Sequence, residues 1–235
     1  MMLTAKSENP TSLKWVKNKT LTRLLVSSLG AYFILSLPFA LVIIKSEHVK
    51  FVITQTLSHW KGKTIGVSTV YVGDSITAAG RNWGRPLNTV NLAGDGYTTA
   101  QIENQLTRAA LYRADNLFIL AGTNDVIGHR AFDLDTFHND FEQLLQRAMK
   151  SNMRVVVNKI PYTASEDHNL KISAANKVIQ QLTTENNILC IDINPIIAPK
   201  GILLDTFSQD GIHLKAAAYY KWKSLADGSP VITAQ

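Results

Sequence analysis

Ile65-Gly66-Val67-Ser68-Thr69-Val70-Tyr71-Val72-Gly73-Asp74-Ser75-Ile76-Thr77 runs from a valine-rich apolar segment straight into a glycine, an acid and a serine. The first eight residues read as a β-strand with apolar side chains on both faces, the pattern of a parallel strand covered by helices. Gly73-Asp74-Ser75 then falls at a strand-to-helix turn. Comparable Val/Ile/Leu-rich runs recur at 89–92, 116–121, 154–160 and 188–193. Helical patterns occupy 99–110, 134–151, 169–186 and 215–225. In the second of these, Phe137, Phe141, Leu144, Leu145 and Ala148 recur at helical spacing and read as core. Strands that alternate with helices form βαβ units with right-handed crossovers. The chain is therefore expected to be an α/β protein, a three-layer α/β/α sandwich. Its parallel sheet should have five strands in flavodoxin-like order, with the functional loops at the strands' C-terminal ends.

Outward from that core, the N-terminal side changes character. Residues 24–44 form a run of 21 residues without a charge, and about 20 apolar residues suffice to span a bilayer core. A buried soluble helix and a cleaved signal peptide are the alternatives. The run has no polar face, its basic lead-in exceeds 20 residues, and no small-x-small cleavage site follows, so an uncleaved anchor is expected. Lys6, Lys14, Lys17, Lys19 and Arg23 precede the run, whereas only Lys45 and Lys50 follow closely. The positive-inside rule places residues 1–23 in the cytoplasm and the rest outside the cytoplasmic membrane. The expected organisation is a basic tail (1–23), a transmembrane signal anchor (24–44), a stalk (45–64) and a catalytic domain (65–235). In the stalk, Val49, Phe51, Val52 and Leu57 line one helical side and Trp60 suits an interface.

Bulk properties narrow the function. The net charge is +6, but residues 1–44 carry +4 of it. The body has no basic stripe interleaved with aromatics, which argues against a nucleic-acid partner. Cys190 is the only cysteine, lies in an apolar run, and reads as a buried strand residue. His129, His138 and His168 read as solvated. His129, Asp133 and His138 lack a metal-ligand spacing, so neither a metal nor a cofactor is expected. Gly94-Asp95-Gly96 is not a phosphate loop, because no Gly-Lys-Ser/Thr follows.

Four positions carry chemistry. Ser75 follows the first strand. Gly96 follows the second, within Asn91-Leu92-Ala93-Gly94-Asp95-Gly96-Tyr97-Thr98. Asn124 follows the third, within Gly122-Thr123-Asn124-Asp125. Asp210-Gly211-Ile212-His213 lies after the fifth. A serine needs a base to become a nucleophile, and His213 suits that task. Asp210, three residues before it, can hold the imidazole tautomer; Asp192 and Asp205 compete for that role without the short spacing. The backbone N–H groups of Ser75 and Gly96 and the side-chain amide of Asn124 are candidate oxyanion donors. At Gly96 the missing side chain should let the backbone approach a substrate. Arg81, Trp83 and Arg85 lie near enough to line a cleft or to sit in a solvated loop.

On these residues the chain resembles the SGNH (GDSL-type) esterase/lipase family. Gly73-Asp74-Ser75 matches its first block, Asn91 to Thr98 its second, Gly122-Thr123-Asn124-Asp125 its third and Asp210-Gly211-Ile212-His213 its fifth. The second block has Ala93 where the family usually has glycine. Lys215 and Ala218 stand where Asn and Gly are frequent, and no Gly-x-Ser-x-Gly elbow of α/β-hydrolases is present. The resemblance covers roughly residues 65–225. It implies Ser75 as nucleophile, His213 as base, Asp210 as acid, and an oxyanion hole of Ser75, Gly96 and Asn124. The function expected is a membrane-anchored serine esterase acting on O-acyl, including O-acetyl, esters of an envelope polysaccharide or lipid. An O-acyltransferase with a sugar acceptor uses the same residues, and a catalytically silent binding module is the third reading.

Overall fold

The computed structural model describes residues 66–80, 88–128 and 130–227. The expected tail, anchor and stalk, together with Arg81, Trp83, Arg85 and His129, lie outside the described residues. Among the described residues no helix is long and apolar enough to cross a membrane.

Five strands form one parallel sheet: β1 Thr69–Gly73, β2 Thr89–Asn91, β3 Asn116–Leu120, β4 Arg154–Asn158 and β5 Leu189–Ile191. Their order is β2-β1-β3-β4-β5, the flavodoxin-like arrangement read from the alternation. The register aligns Thr69 with Asn116 and Asn116 with Arg154, so the three central strands begin level and end level. Between and after them lie α1 Ser75–Ala79, α2 Thr99–Ala109, α3 Thr123–Ile127, α4 Leu134–Met149, α5 Glu166–Glu185, α6 Asn194–Ile197 and α7 Ala216–Asp227.

Strand alternation divides the core into two layers. On one side, Val70, Val72, Leu117, Ile119 and Val157 pack with Ile102 and Leu106 of α2, Phe137 and Phe141 of α4, and Ile172 and Ile179 of α5. On the other, Phe118, Leu120 and Val156 pack with Ile76 of α1, Ile197 of α6 and Ala218, Tyr219 and Trp222 of α7. β3 is buried along its whole length, as a central strand must be.

The elements depart from expectation at their ends, for identifiable reasons. The strand expected over 154–160 stops at Asn158 because Ile160 finds other partners. Its N–H donates to Asn176 Oδ1 at 2.8 Å, and its carbonyl accepts from Asn176 Nδ2 at 2.9 Å and Asn194 Nδ2 at 3.0 Å. The helix expected from 169 starts at Glu166, where the Ser165 side chain caps it and Glu166 and Asp167 favour its positive end. Two histidines read as solvated are half-buried: His138 on α4, and His168 with its Nδ1 shielded from solvent. Cys190, read as buried, is half-exposed because β5 is an edge strand of three residues. Partial burial still raises its thiol pKa.

Candidate active site

The C-terminal ends of β1, β2 and β3 deliver three loops to one edge of the sheet, and the loop before α7 reaches the same edge. Ser75, Gly96, Asn124 and His213 line a single open cleft of about 740 Å³ there, with Asp95, Gln209, Ile212 and Ile127. Asp210 stands behind His213.

Ser75 opens α1. Asp74 caps that helix, accepting the Ile76 N–H on Oδ1 at 2.9 Å. Asp74 is completely buried. Desolvation pushes its pKa from 3.8 up to about 6, against the hydrogen-bonding pull of the Ile76 amide. The chain can turn so sharply here because residue 73 is glycine: a Cβ would stand 2.8 Å from the Leu120 carbonyl oxygen.

His213 Nε2 lies 3.0 Å from Ser75 Oγ, and Nδ1 lies 2.7 Å from Asp210 Oδ2. The side-chain hydrogen bond from His213, then the His213 amide, holds the Asp210 pKa down to about 2, so the carboxylate is ionised and only accepts. In the neutral imidazole the ring hydrogen is then on Nδ1, and Nε2 is left to accept from the serine hydroxyl. Asp210 Oδ1 accepts the N–H of His213 at 2.7 Å and of Ile212 at 3.0 Å, so its carboxylate also shapes the turn that carries His213. Ser208 closes the turn, accepting the Gly211 N–H at 2.6 Å. Asp192 pairs instead with Lys159 at 3.1 Å, and the Asp205 carbonyl accepts Lys215 Nζ at 2.7 Å. α7, which follows His213, reaches the helix that Ser75 opens: Tyr219 Oη donates to the Ile76 carbonyl at 2.7 Å.

The two glycines of the second loop separate by geometry. Gly94 N–H donates to the Gly73 carbonyl at 3.1 Å, so it is not free to face a substrate. Gly96 lines the cleft. Its φ is +75°, and a Cβ there would meet nothing within 4 Å. Within the protein the glycine is therefore explained by its left-handed backbone. Asn124 Nδ2 donates to the Tyr97 carbonyl at 3.0 Å. One amide hydrogen thus fixes the side chain to the Gly96 loop and the other remains available.

Two participating residues escaped the sequence reading. Asp125 accepts the Thr99 N–H at 2.9 Å and the Thr99 hydroxyl at 3.0 Å, tying the third loop to the start of α2. Burial raises its pKa. Gln105 hydrogen-bonds the Gly73 backbone through both ends of its amide. Its signal was a polar residue on the apolar face Ile102–Leu106–Ala109, at the spacing of core positions. Among the described residues no three His, Cys, Asp or Glu are grouped to hold a metal ion.

The model of the GDSL-like lipase/acylhydrolase family matches residues 71–221. Solved structures share the fold at low identity. A GDSL-like lipase from Bacteroides thetaiotaomicron VPI-5482 is 19% identical, with TM-score 0.63, covering 68% of this chain and 85% of that one. A lipase/acylhydrolase from Enterococcus faecalis is 22% identical, with TM-score 0.57, covering 68% and 93%. An acetyl xylan esterase from Geobacillus stearothermophilus is 16% identical, with TM-score 0.59, covering 72% and 95%. No curated protein matches the chain significantly.

Proposed function

This chain belongs to the GDSL-like lipase/acylhydrolase family, an ester-cleaving enzyme class, and on that premise we propose that it is a membrane-anchored serine esterase removing O-acyl groups, acetyl among them, from an envelope polysaccharide or lipid. The observation that carries the catalytic part is the unbroken hydrogen-bonded line Asp210–His213–Ser75, at 2.7 and 3.0 Å, opening on a cleft lined by Gly96 and Asn124.

In this reading His213 Nε2 takes the Ser75 hydroxyl proton as Oγ adds to the ester carbonyl. Asp210 stabilises the imidazolium and keeps the ring oriented. Negative charge gathers on the carbonyl oxygen, where the N–H groups of Ser75 and Gly96 and the free amide hydrogen of Asn124 receive it. Each such donor contributes about 3–4 kcal/mol of transition-state stabilisation. Collapse expels the alcohol, which takes the proton from His213. Water then repeats the sequence on the acyl-enzyme and regenerates Ser75.

The inclusion of acetyl esters is supported by the likeness to an acetyl xylan esterase, and the envelope location by the uncharged run 24–44 with its basic lead-in. A panel of O-acetyl and longer acyl esters offered to the full-length protein tests the reading. Hydrolysis that includes acetyl esters and is lost in Ser75→Ala is expected. Turnover retained in Ser75→Ala would refute the nucleophile, and no turnover of any acetyl ester would refute the acetyl substrate.

A further inference from the structure

Gln105 lies inside the apolar face of α2 and is 3% exposed. An aliphatic side chain would fill such a site; a primary amide is costly there unless both its ends are hydrogen-bonded. Both are, and to one residue. Gly73 N–H donates to Gln105 Oε1 at 2.8 Å, and Gln105 Nε2 donates to the Gly73 carbonyl at 3.0 Å. Gly73 stands two residues before Ser75. Its carbonyl also accepts the Gly94 N–H, which stands two residues before Gly96. The grip of Gln105 on this one residue, through the two peptide groups that flank its Cα, therefore reaches both backbone oxyanion donors. The same helix holds the third: Thr99, its first residue, donates twice to Asp125, the neighbour of Asn124. Gln105 is absent from the lining of the cleft.

We infer that Gln105 is a positioning residue for the reaction, holding the backbone at Gly73 so that Ser75 and the Gly96 loop keep their catalytic geometry. This rests on the esterase reading above. Packing does not account for the amide, because the alternative of a leucine satisfies the apolar face equally; the pairing with both polar groups of Gly73 does.

The test compares full-length wild type with Gln105→Leu and Gln105→Glu, well below their melting temperatures. Three quantities are read: kcat and KM on p-nitrophenyl acetate, and the rate at which a serine-directed phosphonate labels Ser75. Gln105→Leu should lose about 10- to 100-fold in kcat and in labelling rate, the size expected for displaced catalytic groups, with KM within about twofold. Gln105→Glu keeps the acceptor for Gly73 N–H but, when ionised, has no donor for the Gly73 carbonyl. Protonation restores that donor. Its kcat relative to wild type should therefore climb as the pH is lowered, a signature that lost packing does not produce. Should Gln105→Leu fail to fold, the Gln105→Glu profile decides alone. Unchanged kcat and labelling in a folded Gln105→Leu, a loss confined to KM, or a flat ratio for Gln105→Glu would overturn the inference. A wild type that labels at Ser75 but cleaves no ester refutes the esterase reading instead, and the labelling rates then judge Gln105 separately.

Discussion

Asn124 makes the most specific residue-level claim. Its amide is fixed by the Tyr97 carbonyl before any substrate arrives, and in the proposed mechanism its second hydrogen serves charge that develops only in the transition state. Asn124→Ala should lower kcat about 10²- to 10³-fold with KM nearly unchanged, measured by steady-state kinetics; a pure KM defect would make Asn124 a substrate contact. Asp74 makes a claim about stability. Its carboxyl is fully buried, with Oδ2 lacking a well-formed hydrogen bond. With its pKa raised from 3.8 to about 6, the folded protein binds an extra proton between those values. Stability therefore falls as pH rises through that window and levels off above it. The ionised carboxylate costs about 3 kcal/mol at neutral pH, at 1.36 kcal/mol per pKa unit. Asp74→Asn should melt higher than wild type at pH 8, with the advantage shrinking as pH drops from 6 towards 4. An equal or lower melting temperature at pH 8 would show that Asp74 is stabilised as the anion.

At the scale of elements, the parts with long uninterrupted patterns were legible. Five apolar runs gave five strands in the expected order, and Phe137, Phe141, Leu144 and Leu145 gave the buried face of α4. Ser75, Gly96, Asn124 and His213 were legible as a group because the segments that leave the same end of parallel strands converge; Ser75 and Asn124, expected in loops, stand in the first turns of α1 and α3. Three things were not. The short helices α1, α3 and α6, each five residues or fewer, have too few turns to show a period. Strand ends moved where side chains replaced the ladder, as Asn176 and Asn194 do at Ile160. The supports of the site were hidden because they act across the fold: Gln105 on Gly73 spans 32 residues, and Tyr219 on Ile76 spans 143. No local pattern announces such a pair. His168 illustrates the converse: its polar neighbours in sequence suggest a solvated ring, yet Nδ1 is enclosed.

For the whole molecule, the charge asymmetry around residues 24–44 makes an anchored, exported catalytic domain the proposed arrangement. Protease added to spheroplasts should digest the domain beyond residue 45 and leave a short N-terminal remnant. Protection until lysis would reverse the orientation and remove the envelope substrate. The central claim, however, is that one serine is activated by one histidine across 3.0 Å, and it is tested without knowing the substrate. The full-length protein is treated with a serine-directed phosphonate and the modified peptide is identified by mass spectrometry. A single adduct on Ser75 is expected, absent in Ser75→Ala and formed far more slowly in His213→Ala. Folded wild type that stays unlabelled, an adduct on another serine, or labelling at full rate in His213→Ala would contradict it.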